Sequence, residues 1–126
     1  MQKPINAQNA PAAVGPYSHG FQAGNMIFTS GQLPLDPNTN AFVEGGVKEQ
    51  TAQSLKNVIA VLNAAGAEMK DVISTTVYLS DMNNFAAMNA VYAEFFTENY
   101  PARTCVEVAR LPKDALVEIS VIAVKE

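Results

Sequence analysis

The segment Leu116 to Val124 constrains this 126-residue chain more than any other, because it is apolar on both faces of a strand. Val117, Ile119 and Val121 would share one face and Leu116, Ile122 and Val124 the other, so both sides need cover. Only two segments are patterned as helices. From Val47, apolar or small residues recur at Thr51, Leu55, Val58, Ile59, Leu62 and Ala65 with a helical period, and Gly66 supplies a stop. Phe85, Met88, Val91, Tyr92, Phe95 and Phe96 form a second stripe, until Tyr100-Pro101 forces the chain into an extended conformation. Two helices shield one face of a sheet. The other face stays apolar, which points to association between copies of the chain through it.

The remaining strands follow from turns and alternation. Gly24-Asn25, between Phe21–Ala23 and Met26–Thr29, puts glycine first in a two-residue loop and predicts a hairpin of type II′. Leu33-Pro34-Leu35-Asp36-Pro37-Asn38 is broken by proline, so strand structure is expected to stop there. A surface loop then runs to about Gly46, with its tip outside the core. Val72 to Leu79 alternates, with Ile73, Thr75, Val77 and Leu79 on one face, and Asp81 follows as a candidate helix cap. Arg103 to Ala109 and Leu116 to Val124 close the chain, joined through Leu111-Pro112-Lys113-Asp114. The order strand, strand, helix, strand, helix, strand, strand describes a single α+β domain over residues 1–126.

Composition excludes several function classes. The formal net charge is -4 and the eight Lys and Arg are scattered, so no basic face is available to displace counterions from nucleic acid. Cys105 is the only cysteine and His19 the only histidine, which rules out an intrachain disulfide and a zinc site of four Cys and His ligands. A lone thiol fits a reducing compartment, and a cytoplasmic location is expected. Pro4 to Leu35 carries no charge, yet Gly, Pro, Asn and Gln interrupt it too often for a membrane span or signal-peptide core. There is no Gly-rich phosphate loop, and one histidine makes no convincing Ser/His/Asp set.

Arg103, Cys105 and Glu118 remain as candidates for chemistry. On a strand beginning at Arg103, positions 103, 105 and 107 share a face, so Arg103, Cys105 and Glu107 point one way. Glu118 lies between Val117 and Ile119, where a carboxylate is unexpected without a partner or a pocket. Antiparallel pairing of the two closing strands would bring it close to Arg103 or Cys105. Arg103 could then hold a substrate carboxylate through two parallel charge-assisted hydrogen bonds, and Glu118 could orient or deprotonate a water. Each residue also has a commoner role: a solvated or ion-paired Arg or Glu, a cysteine acting as a small hydrophobe, and a surface Asn89. The aromatic stripe of the second helix is most simply core packing. His19 fits a hydrogen-bonded loop residue, which leaves Tyr17 as the better site contact.

Three motifs carry a resemblance. Ala10-Pro11-Ala12-Ala13-Val14-Gly15-Pro16-Tyr17-Ser18 and Phe28-Thr29-Ser30-Gly31-Gln32 resemble the opening motifs of the Rid, or YjgF-type, family. Tyr100 to Asp114, followed by Val117-Glu118-Ile119, resembles its C-terminal signature. The resemblance runs along essentially the whole chain, and the three motifs in this order are jointly specific. It implies a chorismate-mutase-like α+β fold, with two helices on one face of a mixed sheet. It also implies a homotrimer packed through the other face, with three clefts between subunits. The implied reaction is hydrolysis of 2-iminobutanoate and 2-iminopropanoate, products of pyridoxal-phosphate-dependent dehydratases, to 2-keto acids and ammonia, with no metal or cofactor in the deaminase. By the same resemblance Arg103 binds the carboxylate, with the Gly31 N–H assisting. Glu118 and the Cys105 carbonyl hold the water, while Tyr17, Ser30, Gly31 and Asn89 line the cleft. Three rival expectations are a sensor that binds a 2-ketobutyrate-like acid without turnover, a chaperone-like protein-binding role, and a nuclease or translation inhibitor. The acidic balance argues against the last.

Overall fold

The glycine-first loop closes the hairpin that the sequence predicts. Gly24 takes a φ of +60°, a left-handed value that a side chain would resist, while Asn25 stays at negative φ. The loop joins β2 (Gly20–Ala23) to β3 (Met26–Thr29) in antiparallel register. In the computed structural model, which describes residues 1–126, a short strand β1 (Gln2–Ile5) adds to the outer edge of β2. β1 was not expected from the sequence: Pro4 interrupts it and only Ile5 is buried, so it has no alternating pattern to find.

The chain continues through α1 (Val47–Ala64), β4 (Val72–Leu79), α2 (Phe85–Phe95), β5 (Ala102–Glu107) and β6 (Val117–Val124). The strands lie in the order β1-β2-β3-β6-β4-β5. All neighbours are antiparallel except β4 and β5, which α2 connects as a crossover. The last strand in sequence is therefore central. Its Val117, Ile119, Val121 and Ala123 are buried in one cluster with Val77 and Leu79 of β4 and Leu55, Val58, Val61 and Leu62 of α1. On the opposite face Phe21, Phe28 and Val106 are exposed and Ile122 and Val124 half-buried, so the helices cover one face only, as expected. No helix is long and apolar enough to cross a membrane.

Two local expectations are corrected. Leu33, Pro34 and Leu35 are buried, and Leu33 and Leu35 join Leu111 and Ala115 in a satellite core. The chain bends back here, with Gln32 bridging to Ile119 and Leu35 to Phe42, and the loop is exposed at its tip from Asn38 to Ala41 and again from Glu44 to Gly46. In β4, Val72 lies opposite Ala123 and Ser74 opposite Ile122, so a bulge turns Val72 inward and Ile73 outward. A period-two pattern cannot reveal the extra residue.

The helix ends and the buried polar groups of α1 fix the loops beside the sheet. The Glu49 carboxylate accepts the Gly46 N–H at 2.9 Å, and Asp81 accepts the Asn83 N–H at 2.9 Å in the turn leading to α2. Within α1, Gln50 Oε1 accepts the Leu116 N–H at 2.9 Å, just ahead of β6. The Asn57 amide donates to the carbonyls of Leu33 and Leu35, each at 2.9 Å. Asn57→Ala removes a buried donor from both carbonyls and is expected to cost on the order of 2–4 kcal/mol. Urea unfolding at fixed protein concentration measures this. A loss below about 0.5 kcal/mol, the range of an ordinary surface change, would contradict the fastening role.

Candidate functional site

One half of the site is built on an irregularity between β3 and β6. Phe28 lies opposite Ile122, and Gln32 opposite Ile119 with reciprocal backbone bonds of 2.7 and 3.2 Å. Four steps along one chain therefore match three along the other, and the excess residue bulges at Ser30-Gly31. The Val121 N–H bonds instead to the Thr29 hydroxyl at 3.0 Å, while the Gly31 N–H donates to no group of the chain. Gly31 also lies against Glu118, and a Cβ built on it would overlap the Glu118 carboxylate, so a side chain here would push that carboxylate out of its place. A cleft of about 340 Å³ opens here, lined by Val14, Tyr17, Ser30, Gly31, Leu33, Pro112 and Glu118. Burial pushes the Glu118 carboxyl above its usual range.

The N-terminal segment is tied down beside this cleft. The Ser30 N–H donates to the His19 carbonyl at 2.8 Å, and the Ser30 hydroxyl donates to the Ser18 carbonyl at 2.6 Å. With its proton engaged, that hydroxyl can accept a hydrogen bond but has none to give an anion. His19 Nδ1 accepts the Ala7 N–H at 2.9 Å, so the ring fastens the segment and does not line the Glu118 cleft. The Tyr17 hydroxyl accepts the Val14 N–H at 3.2 Å, which sets the aromatic ring at the cleft mouth.

The other half lies on the helix side of β5. The Arg103 guanidinium carbon sits 4.8 Å from the centroid of the Tyr92 ring and 5.5 Å from that of Phe85. Its Nη1 donates to Asn89 Oδ1 at 2.7 Å. Arg103 has no carboxylate partner: the ion pairs in the chain are Lys70–Glu68 and Arg110–Asp114. Cys105 is half-buried on the same face, where burial pushes its thiol up and the Arg103 charge opposes that more weakly. This supports packing over nucleophilic chemistry. The Val108 N–H donates to the Leu79 carbonyl, so even-numbered residues of β5 bond to β4 and the Cys105 carbonyl faces the free sheet edge. Glu107 accepts the Met82 N–H at 2.7 Å and belongs to the turn before α2.

The expected meeting of Arg103 or Cys105 with Glu118 does not occur within one chain. β4 lies between β5 and β6, with Arg103 opposite Thr75 on the helix face and Glu118 opposite Tyr78 on the open face. The closing strands are not a hairpin, because the crossover through α2 sends β5 to the sheet edge and leaves the gap beside β3 for β6. Asn89 does join Arg103, and Tyr17, Ser30 and Gly31 do join Glu118. The aromatic floor beneath Arg103 was missed. Its signal was present in the spacing of Phe85, Asn89 and Tyr92, which places all three on one side of a helix.

Comparison with known proteins is consistent along the whole chain. Residues 7–125 match the family described as endoribonuclease L-PSP. A RutC family protein of Pyrococcus horikoshii is 56% identical over 126 residues, covering 100% of both chains. The protein of Escherichia coli strain K12 named 2-iminobutanoate/2-iminopropanoate deaminase is 53% identical over 128 residues, covering 99% of each. The crystal structure of Escherichia coli TdcF with bound serine superposes with a TM-score of 0.94 at 48% identity, covering 98% of this chain and 99% of that one. With fold, length and motifs shared throughout, the chain belongs to the endoribonuclease L-PSP family, the YjgF-type or Rid family that its terminal motifs resemble.

Proposed function

We propose that this protein hydrolyses small 2-imino acids, such as 2-iminobutanoate and 2-iminopropanoate, to 2-keto acids and ammonia, in clefts completed by a neighbouring copy of the chain. The observation that carries this reading is Arg103, a guanidinium held by Asn89 and two aromatic rings with no carboxylate of its own. The name of the Escherichia coli relative supports the same chemistry. Within a chain the cation and Glu118 lie on opposite sheet faces, and no small ligand touches both. A homotrimer packed through the open faces sets the β5 edge of one copy against the Glu118 cleft of the next. The apolar residues left on that face support this packing.

In the composite cleft, Arg103 grips the substrate carboxylate with two parallel hydrogen bonds and the Gly31 N–H adds a third. Val14, Leu33 and Pro112 give apolar walls suited to a methyl or ethyl group, and Tyr17 closes the mouth. A water held by Glu118 and the Cys105 carbonyl attacks the imine carbon, and the C=N electron pair moves to nitrogen. Glu118 passes a proton from the water to nitrogen, giving a carbinolamine, and then passes the carbinol O–H proton to nitrogen as the C–N bond breaks, so that C=O forms and ammonia leaves. Imines already hydrolyse in water, so positioning and one acid-base group suffice. The single free thiol, Cys105, supports a cytoplasmic location for the reaction.

A dehydratase can supply 2-iminobutanoate, with semicarbazide competing for the free imine. Arg103→Ala is expected to lower kcat/KM on the order of 100-fold with the oligomer intact, through the loss of two charge-assisted bonds. Glu118→Gln should lower kcat by about 100- to 10,000-fold. Near-wild-type turnover by Arg103→Ala would refute the anchor, and wild-type protein that binds 2-ketobutyrate without accelerating release would be a sensor.

A pH profile separates the two charges. Burial raises Glu118, and the neighbouring copy's guanidinium acts in the opposite direction. Arg103→Ala should therefore move the acid limb of the rate profile to higher pH, while Arg103→Lys leaves it nearly in place. An unmoved limb in Arg103→Ala would place the two groups in different clefts.

A further inference from the structure

Arg103 is a long side chain on an exposed edge strand, and a guanidinium that binds a carboxylate with two parallel bonds must hold its plane as well as its position. Three contacts fix that plane by a closed route. Arg103 lies over the Tyr92 ring at 4.8 Å. The Tyr92 hydroxyl and the Thr75 hydroxyl are hydrogen-bonded at 2.9 Å, with both residues buried. Thr75 is in turn the direct lateral partner of Arg103 across the β4–β5 ladder. The residue that pins the ring is thus the strand neighbour of the residue that stacks on it.

The route is rigid at each step. Tyr92 cannot tilt without breaking a buried hydrogen bond, and the Phe96 ring packs against it at a centroid distance of 4.5 Å. Burial raises the Tyr92 hydroxyl above its ordinary range, so it stays protonated and able to share a hydrogen with Thr75. With its carbon 4.8 Å from the Tyr92 centroid the guanidinium is seated on that ring, and Asn89 restrains its rotation by accepting from Nη1 at 2.7 Å. Of the five N–H donors of an arginine, Asn89 uses one, which leaves enough for both oxygens of a carboxylate.

We propose that Tyr92, tethered through its hydroxyl to Thr75, is a positioning residue that sets the plane of the Arg103 guanidinium for a carboxylate ligand. This rests on Arg103 being the carboxylate anchor, but not on turnover, so binding of a stable 2-keto acid tests it directly. The probe is 2-ketobutyrate, titrated calorimetrically into the full-length oligomer. Tyr92→Phe keeps the ring and breaks the tether, and Thr75→Val breaks it from the other side.

Each variant is expected to weaken binding by roughly three- to tenfold, the scale of having to order one side chain on binding. The double variant should be no weaker than either single one, and Thr75→Ser, which keeps the hydroxyl, should bind as wild type does. In an Arg103→Lys background the effect should vanish, because an ammonium has no plane to set. Wild-type affinity in Tyr92→Phe and Thr75→Val, or an equal loss in the Arg103→Lys background, would overturn the proposal. Wild-type affinity in Arg103→Lys and Arg103→Ala themselves would remove the anchor, and the proposal with it.

Discussion

β6 is hydrogen-bonded along both edges, to β3 and to β4, and packed on one face against the helices, and the other parts of the molecule take their places from it. Its inward residues Val117, Ile119, Val121 and Ala123 are almost fully buried, and the same alternation turns Glu118, Ser120, Ile122 and Val124 to the open face. Glu118 is therefore half-buried by the geometry of a central strand. The bulge just after β3 then decides what the carboxylate meets: a glycine without a side chain, a free backbone N–H, and a cleft wall built from two loops that α1 fastens through Asn57 and Gln50.

The crossover through α2 has the complementary effect. It makes β5 an edge strand and lays Phe85, Asn89 and Tyr92 beneath Arg103. A single chain thus carries two partial sites of opposite character, a cation on one sheet face and a carboxylate on the other. A half-buried carboxylate without a basic partner is costly to keep charged, and the exposed arginine without an acidic partner is free to take one from a ligand. A ligand and a second copy of the chain together are what the proposed cleft supplies.

Much of this was legible in the sequence. The helical period from Val47, the stripe from Phe85, the alternation after Val72 and the glycine-first hairpin each specify one element through local chemistry, and each forms close to its expected bounds. The two-sided apolar pattern of Leu116 to Val124 also gave the uncovered face. What was not legible depends on non-local pairing. Nothing local says that β6 inserts between β3 and β4, so the partnership of Arg103 with Glu118 was assigned to one chain when the topology separates them. The bulges at Ile73 and at Ser30-Gly31 each add one residue against a partner strand, and a single strand's pattern does not contain its partner's register. Tyr92 was assigned to the core, correctly by burial, but one of its faces also carries the guanidinium.

The composite cleft is tested most directly by mixing two inactive subunits. Arg103→Ala and Glu118→Gln are combined in equal amounts, dissociated, reassembled and assayed with 2-iminobutanoate. If each cleft takes Arg103 from one copy and Glu118 from its neighbour, three-quarters of the trimers are hybrids with one intact cleft in three, and activity returns to about a quarter of wild type. If both groups act from the same chain, or if one of them has no part in the reaction, reassembly brings no such recovery.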